Sequence, residues 1–147
     1  MYDRILLPVA GDETDAAVAA ATERASDLAA QYGAELVILS VVDSGVVDVL
    51  GERNALFEDV RGDGESRAAA TVEAVADRVG PDVQVRPVVG RGTPHRRIVE
   101  EADDHDCDLI VMATHGRSGV AHGVLGSVTE RVLRTAQTPV LAVPWEG

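Results

Sequence analysis

Short apolar runs alternate with helical stretches from one end of this chain to the other, and that alternation constrains its fold more than any single motif. Residues 3–9 (Asp-Arg-Ile-Leu-Leu-Pro-Val) read as a buried strand. Residues 13–32 are Ala-rich and helical, with Gly33 where a helix would stop. Glu35 to Val42 is a second apolar strand, and residues 43–62, with Gly45, Gly51 and Gly62, read as a long loop with room for a short helical piece. Residues 64–79 form a second helix, ended by Gly80-Pro81, and Asp82 to Val89 alternates like a strand. Gly92-Thr93-Pro94 opens a third helix, with Thr93 as N-cap and Pro94 in the first turn, running to about His105. Asp108 to Ala113 is a fourth strand, residues 127–136 a fourth helix, and Pro139 to Pro144 a fifth strand.

Strand–helix repeated four times and closed by a strand implies an α/β fold, a parallel sheet with helices on both faces. Runs such as Ile5-Leu6-Leu7 and Leu109-Ile110-Val111-Met112 lack polar alternation, as expected of strands covered on both sides. The length of 147 residues suits one domain, spanning 1–147. Ligands of such sheets bind beyond the carboxyl ends of the strands, where the strand order reverses. Two segments lie at such ends: Pro8-Val9-Ala10-Gly11-Asp12 after strand one, and the loop after strand four.

That second segment is Met112-Ala113-Thr114-His115-Gly116-Arg117-Ser118-Gly119, continued by Gly126-Ser127-Val128-Thr129 at a helix start. Glycines let the backbone approach an anion closely. A helix start offers unpaired N–H donors and the positive end of a dipole. The reading is a phosphate site, with the hydroxyls of Ser127 and Thr129 beside it.

Other phosphate and metal chemistries fail on residue type. A Walker A loop needs Lys, as does a phosphorylation receiver of similar topology, and the chain contains no Lys. Gly90-Arg91-Gly92-Thr93-Pro94-His95 begins like a dinucleotide fingerprint, but His95 replaces the third glycine and the segment follows the wrong strand. It reads as a turn and a helix cap. His115 and His122 lie in the loop without a neighbouring carboxylate or Cys at ligand spacing, and His95 and His105 stand apart. No protein metal site is expected. Cys107, the single cysteine, cannot form an internal disulfide and reads as a small core residue before strand four.

Charge narrows the partners. The net charge is −12, from 25 acidic and 13 basic residues, every basic one Arg. Such a chain repels nucleic acid and anionic membranes. Its acidic surface resembles that of proteins from salt-loving organisms, where salt screens the self-repulsion; a GC-rich genome would equally favour Arg over Lys. No apolar run approaches the roughly 18–20 residues that span a bilayer. The start, Met1-Tyr2-Asp3-Arg4, lacks a signal-peptide pattern, so a cytoplasmic location is expected.

These residues resemble the universal stress protein family. Its ATP-binding pattern is Gly, two residues, Gly, nine residues, Gly, then Ser or Thr; Gly116, Gly126 and Ser127 match, with Ala113 at the first glycine. Gly126-Ser127-Val128-Thr129-Glu130-Arg131-Val132-Leu133, Thr138-Pro139-Val140-Leu141-Ala142-Val143-Pro144, Ile5-Leu6-Leu7-Pro8-Val9 and the stretch from Gly92 to His115 are similar to the family as well. The resemblance implies a doubly wound, Rossmann-like five-stranded sheet of the adenine nucleotide alpha hydrolase-like kind, strand order 3-2-1-4-5. It implies ATP as ligand, with Mg2+ carried by the nucleotide rather than held by protein alone. Carried over by position, Pro8 and Val41 flank the adenine; Ala113, His115, Gly116, Arg117, Ser118 and Gly119 wrap phosphates and ribose; Gly126, Ser127, Val128 and Thr129 face the phosphates. A homodimer through strand 139–144 is implied too; its apolar edge invites pairing, although Pro139 and Pro144 could blunt it.

One departure matters most. The family often has Asp two residues after Pro8, where this chain has Ala10. One lost charged hydrogen bond costs roughly 1.5–3 kcal/mol, about 10- to 150-fold in affinity. Asp12 is the nearest substitute, unless it caps the first helix. Ala10 therefore keeps open an alternative, a nucleotide-free interaction module. No general base or nucleophile is legible beside the loop, so no catalytic residue is assigned. Slow ATP hydrolysis or self-phosphorylation on Ser127 or Thr129 is the most the site would support. An enzyme of the related hydrolase group would need added segments.

Overall fold

The computed structural model describes residues 2–10, 15–43, 56–114 and 126–144. Its elements are β1 (Arg4–Pro8), α1 (Asp15–Tyr32), β2 (Glu35–Asp43), α2 (Leu56–Ala76), β3 (Val85–Gly92), α3 (Pro94–Asp104), β4 (Leu109–Ala113), α4 (Ser127–Thr135) and β5 (Val140–Val143). The strands form one sheet in the order β3-β2-β1-β4-β5. Every pairing is parallel: Leu6 lies beside Val37 and Ile110, Val41 beside Gly90, and Val111 beside Leu141. The expected α/β class and strand order are both realised.

Alternate strand residues feed two separate cores. Ile5, Leu7, Leu36, Ile38, Leu109 and Val111 point to one face, under Ala17, Ala21, Ala25 and Ala29 of α1 and Val72 and Val75 of α2. Leu6, Val37, Leu39, Ile110 and Met112 point to the other, under Ile98 and Ala102 of α3 and Val132 of α4. A strand buried on both faces cannot alternate apolar with polar, which is why β1 and β4 read as unbroken apolar runs.

Two boundaries differ from expectation. The second helix begins at Leu56 and ends at Ala76, rather than spanning 64–79. Glycine disfavours helix by about 1 kcal/mol, so Gly62 argues for loop. Packing overrides that preference: a Cβ on Gly64 would come 3.1 Å from Val42 Cγ1, so a bare backbone lets the helix close on β2. The third strand is displaced as well, to Val85–Gly92 from 82–89. A turn precedes it, closed by the Val83 N–H donating to the Gly80 carbonyl at 3.1 Å. Pairing with β2 then carries it to Gly92, opposite Asp43. Gly90-Arg91-Gly92 is therefore strand rather than turn. Thr93 does occupy the N-cap of α3, with Pro94 following, but its side chain makes no capping hydrogen bond.

Two helices end in the same left-handed device. Gly33 has φ 64°, and the Ala34 N–H reaches back to the Ala29 carbonyl at 2.9 Å. Asp106 has φ 52°, and the Cys107 N–H reaches the Ala102 carbonyl at 2.8 Å. Glycine adopts this conformation freely, whereas Asp does so under strain.

The amino ends of the strands are tied together by charge. Asp108 Oδ2 accepts from the N–H groups of Asp3 at 2.6 Å and Arg4 at 3.0 Å. Arg4 Nε pairs with Glu35 Oε1 at 3.1 Å, and Arg86 Nε reaches the same oxygen at 3.3 Å. Arg4 also donates to the His105 carbonyl. Cys107 is buried beside them, and that burial pushes its thiol up to about 12.

Candidate functional site

At the carboxyl edge the sheet changes direction. β1 and β4 are neighbours, while the chain leaves β1 for β2 on one side and β4 for β5 on the other. In sheets of this kind, ligands bind where the connections diverge. Pro8, buried, ends β1, and half-buried Ala10 follows it. The Val9 N–H donates to the Leu39 carbonyl at 2.7 Å, fixing this segment against β2. Val41 lies near the end of β2, half-buried on the α3–α4 face of the sheet.

Across the divergence, β4 ends at Ala113 and α4 begins at Ser127. Two backbone bonds place that helix start. The Thr114 N–H donates to the Val143 carbonyl at 3.0 Å, and the Gly126 N–H donates to the Thr114 carbonyl at 2.8 Å. Gly126 is the N-cap, with φ −62° and ψ 153°, an extended conformation open to any residue. It supplies no side-chain cap. The first bond of the helix runs from the Glu130 N–H to the Gly126 carbonyl at 2.9 Å. The N–H groups of Ser127, Val128 and Thr129 precede it and have no partner within the helix. Together with the positive dipole end, they form a cradle for an anion.

The side chains of this cradle divide their work. Ser127 is exposed at the helix start. Val128 packs against the α3–α4 core. Thr129 is buried, and its hydroxyl donates to the Ala113 carbonyl at 2.9 Å. That hydroxyl holds the helix to the end of β4, which leaves the backbone N–H as the group Thr129 could present to a ligand. Sequence spacing suggested a second phosphate-facing hydroxyl and carried no sign of this tie, nor of the Thr114 bonds that set the helix start. His115, Gly116, Arg117, Ser118 and Gly119 lie outside the described residues, as does Asp12. Pro8, Val41, Ala113 and residues 126–129 thus come to one edge of the sheet, on β1, β2, β4 and the start of α4.

The model of the universal stress protein family matches residues 1–144. The chain belongs to this family. The universal stress protein MJ0531 of Methanocaldococcus jannaschii is 34% identical over 145 residues, covering 97% of this chain and 82% of that one. Among solved structures, protein MJ0577 of the same organism superposes with a TM-score of 0.77 at 26% identity, covering 100% of this chain and 99% of its own. A universal stress protein solved in complex with cAMP gives a TM-score of 0.67 at 26% identity, with 97% of each chain covered. Among the described residues, no helix is long and apolar enough to cross a membrane.

Proposed function

We propose that this universal stress protein binds ATP at the carboxyl edge of its sheet and serves the cytoplasmic stress response as a nucleotide-dependent regulatory module. The observation that carries the proposal is the start of α4: three consecutive N–H groups without helical partners, at the divergence of β1 and β4, capped by a residue with no side chain. Neutralising donors of this kind favour a phosphate. Pro8 and Val41, across β1 and β2, would flank the base. Residues 115–119 would wrap the phosphates, and Mg2+ would enter with the nucleotide. The cAMP complex of a relative shows that this fold accommodates an adenine nucleotide in that protein.

The test is calorimetric titration of ATP, with Mg2+ at high salt, into the native protein and into Gly126→Asp. Binding by the native protein and its loss in the variant support the reading. No heat and no melting shift at several millimolar ATP would sink it.

Ala10 favours a second reading, a nucleotide-free interaction module. Under that reading Gly126→Asp leaves partner capture unchanged. We also propose a homodimer through β5, whose Val140, Leu141 and Ala142 are only half-buried at a sheet edge. A monomer mass in light scattering at high salt would refute the dimer.

A further inference from the structure

Arg97 lies in the opening turns of α3, and its stem rests on the backbone of β3. A Cβ built on Gly90 would stand 3.0 Å from Arg97 Cγ, 3.2 Å from its Nε and 3.4 Å from Leu39 Cδ1. Gly90 therefore makes the groove that this side chain occupies. Gly90 is the register partner of Val41, and Leu39 and Val41 belong to the core face beneath α3. The arginine thus sits one strand from Val41, on the same side of the sheet.

Its head is held as firmly as its stem. Nη1 pairs with Glu100 Oε2 at 3.2 Å, and Nη2 pairs with buried Glu101. Glu101 Oε2 is in turn 2.9 Å from His105 Nε2. Arg97 Nε is buried and has no hydrogen-bond partner among the described residues. This long cationic side chain balances buried Glu101 and at the same time braces α3 against the bare backbone of Gly90.

We infer that Arg97, seated on Gly90, is a positioning residue for the purine base. It sets how closely α3 approaches the β2–β3 pair at the row of Val41, and so the position of Val41, against which a base would lie. The inference rests on the nucleotide reading and deepens it. Neighbouring strands are about 4.8 Å apart, so β3 lies some three strand spacings, roughly 14 Å, from β4 and the helix start that follows it. At that distance in salt the guanidinium is screened from the phosphates. Its influence falls on the base.

The experiment measures dissociation constants for ATP and for inorganic tripolyphosphate by calorimetry at high salt. The proteins are the native chain, Arg97→Ala, Arg97→Lys and Gly90→Ala, each with its melting temperature. Gly90→Ala keeps every charge and displaces only the stem, so it serves if Arg97→Ala does not fold. Arg97→Ala and Gly90→Ala should each weaken ATP by about tenfold while tripolyphosphate changes by less than about twofold, with Lys restoring most of the loss; contacting residues should combine non-additively in the double variant. Equal weakening of both ligands would make Arg97 a general electrostatic contributor and overturn the inference. So would lower melting temperatures with an unchanged ratio of the two affinities, or no change at all. If the native chain binds neither ligand, the nucleotide reading fails and this inference with it; if it binds ATP and the ratio is insensitive to both variants, only the inference fails.

Discussion

The two ends of the same sheet treat their polar groups in opposite ways. At the amino end, Asp108 accepts two backbone N–H groups, and Glu35 pairs with both Arg4 and Arg86. At the carboxyl end, α4 starts with donors that no side chain caps among the described residues. A glycine at the helix start forgoes only a few tenths of a kcal/mol that a capping side chain would supply. The same chain spends charge on cohesion at one end and leaves donors available at the other. Stability and ligand affinity should therefore be separable by mutation.

The sharpest way to break this contrast is Gly126→Asp. Its extended backbone accepts the change, and Asp is a good N-cap. The carboxylate would occupy the anion cradle, so ATP affinity should fall at least about 100-fold, roughly 3 kcal/mol. Stability should rise by a few tenths of a kcal/mol. Calorimetry and thermal melting would read the two opposed signs; a fall in both would mean that the cap residue is structural.

The next largest effect belongs to the other end. Asp108→Ala removes the acceptor for two N–H groups and should lower stability by about 2 kcal/mol, with ATP affinity unchanged. Urea unfolding would measure it. Thr129→Val tests the one hydroxyl that serves both ends of the argument. Loss of its bond to Ala113 should reduce stability by about 1 kcal/mol and ATP affinity only a few-fold, while Thr129→Ser should behave like the native protein. A loss as large as that of Gly126→Asp would show the hydroxyl touching phosphate directly.

Smaller still is Asp106→Gly, which relieves a left-handed residue and should add about 0.5 kcal/mol. Cys107 should react with iodoacetamide at pH 8 far more slowly than in the unfolded chain, because burial pushes its thiol up to about 12. That raised value stabilises the fold fully below about pH 8.5, where the unfolded thiol stays protonated, and the contribution is lost as pH climbs from there toward 12.

Much of the fold is legible in the sequence alone. Unbroken apolar strands announced a sheet covered on both faces, and Gly33, Pro94 and Gly126 marked helix ends correctly. Gly62 points to loop where the helix continues, and the close approach of Gly64 to Val42, on a different element, has no local sign. The third strand was misplaced because pairing with β2, rather than local alternation, decides where it starts. At the site, the helix start was readable from local chemistry. The Thr129–Ala113 tie and the Arg97–Gly90 seat were not, because each joins residues whose proximity only the fold creates. For the same reason the charged amino end left no local signature.

Ala17, Ala21, Ala25 and Ala29 line the buried side of α1 at four-residue spacing, none more than 3% exposed. At these four positions the helix meets the longer side chains of the strands with methyl groups alone, while Val18 and Leu28 pack beside them. Enlarging any of the four would lift a whole helix rather than one side chain, so this layer has almost no room for sequence drift. The layer of α3 and α4 meets the sheet through longer and more varied side chains, which can be exchanged one at a time. New ligand preferences in relatives of this chain should therefore arise by changes on that second layer, with the alanine side serving as an unvarying back plate.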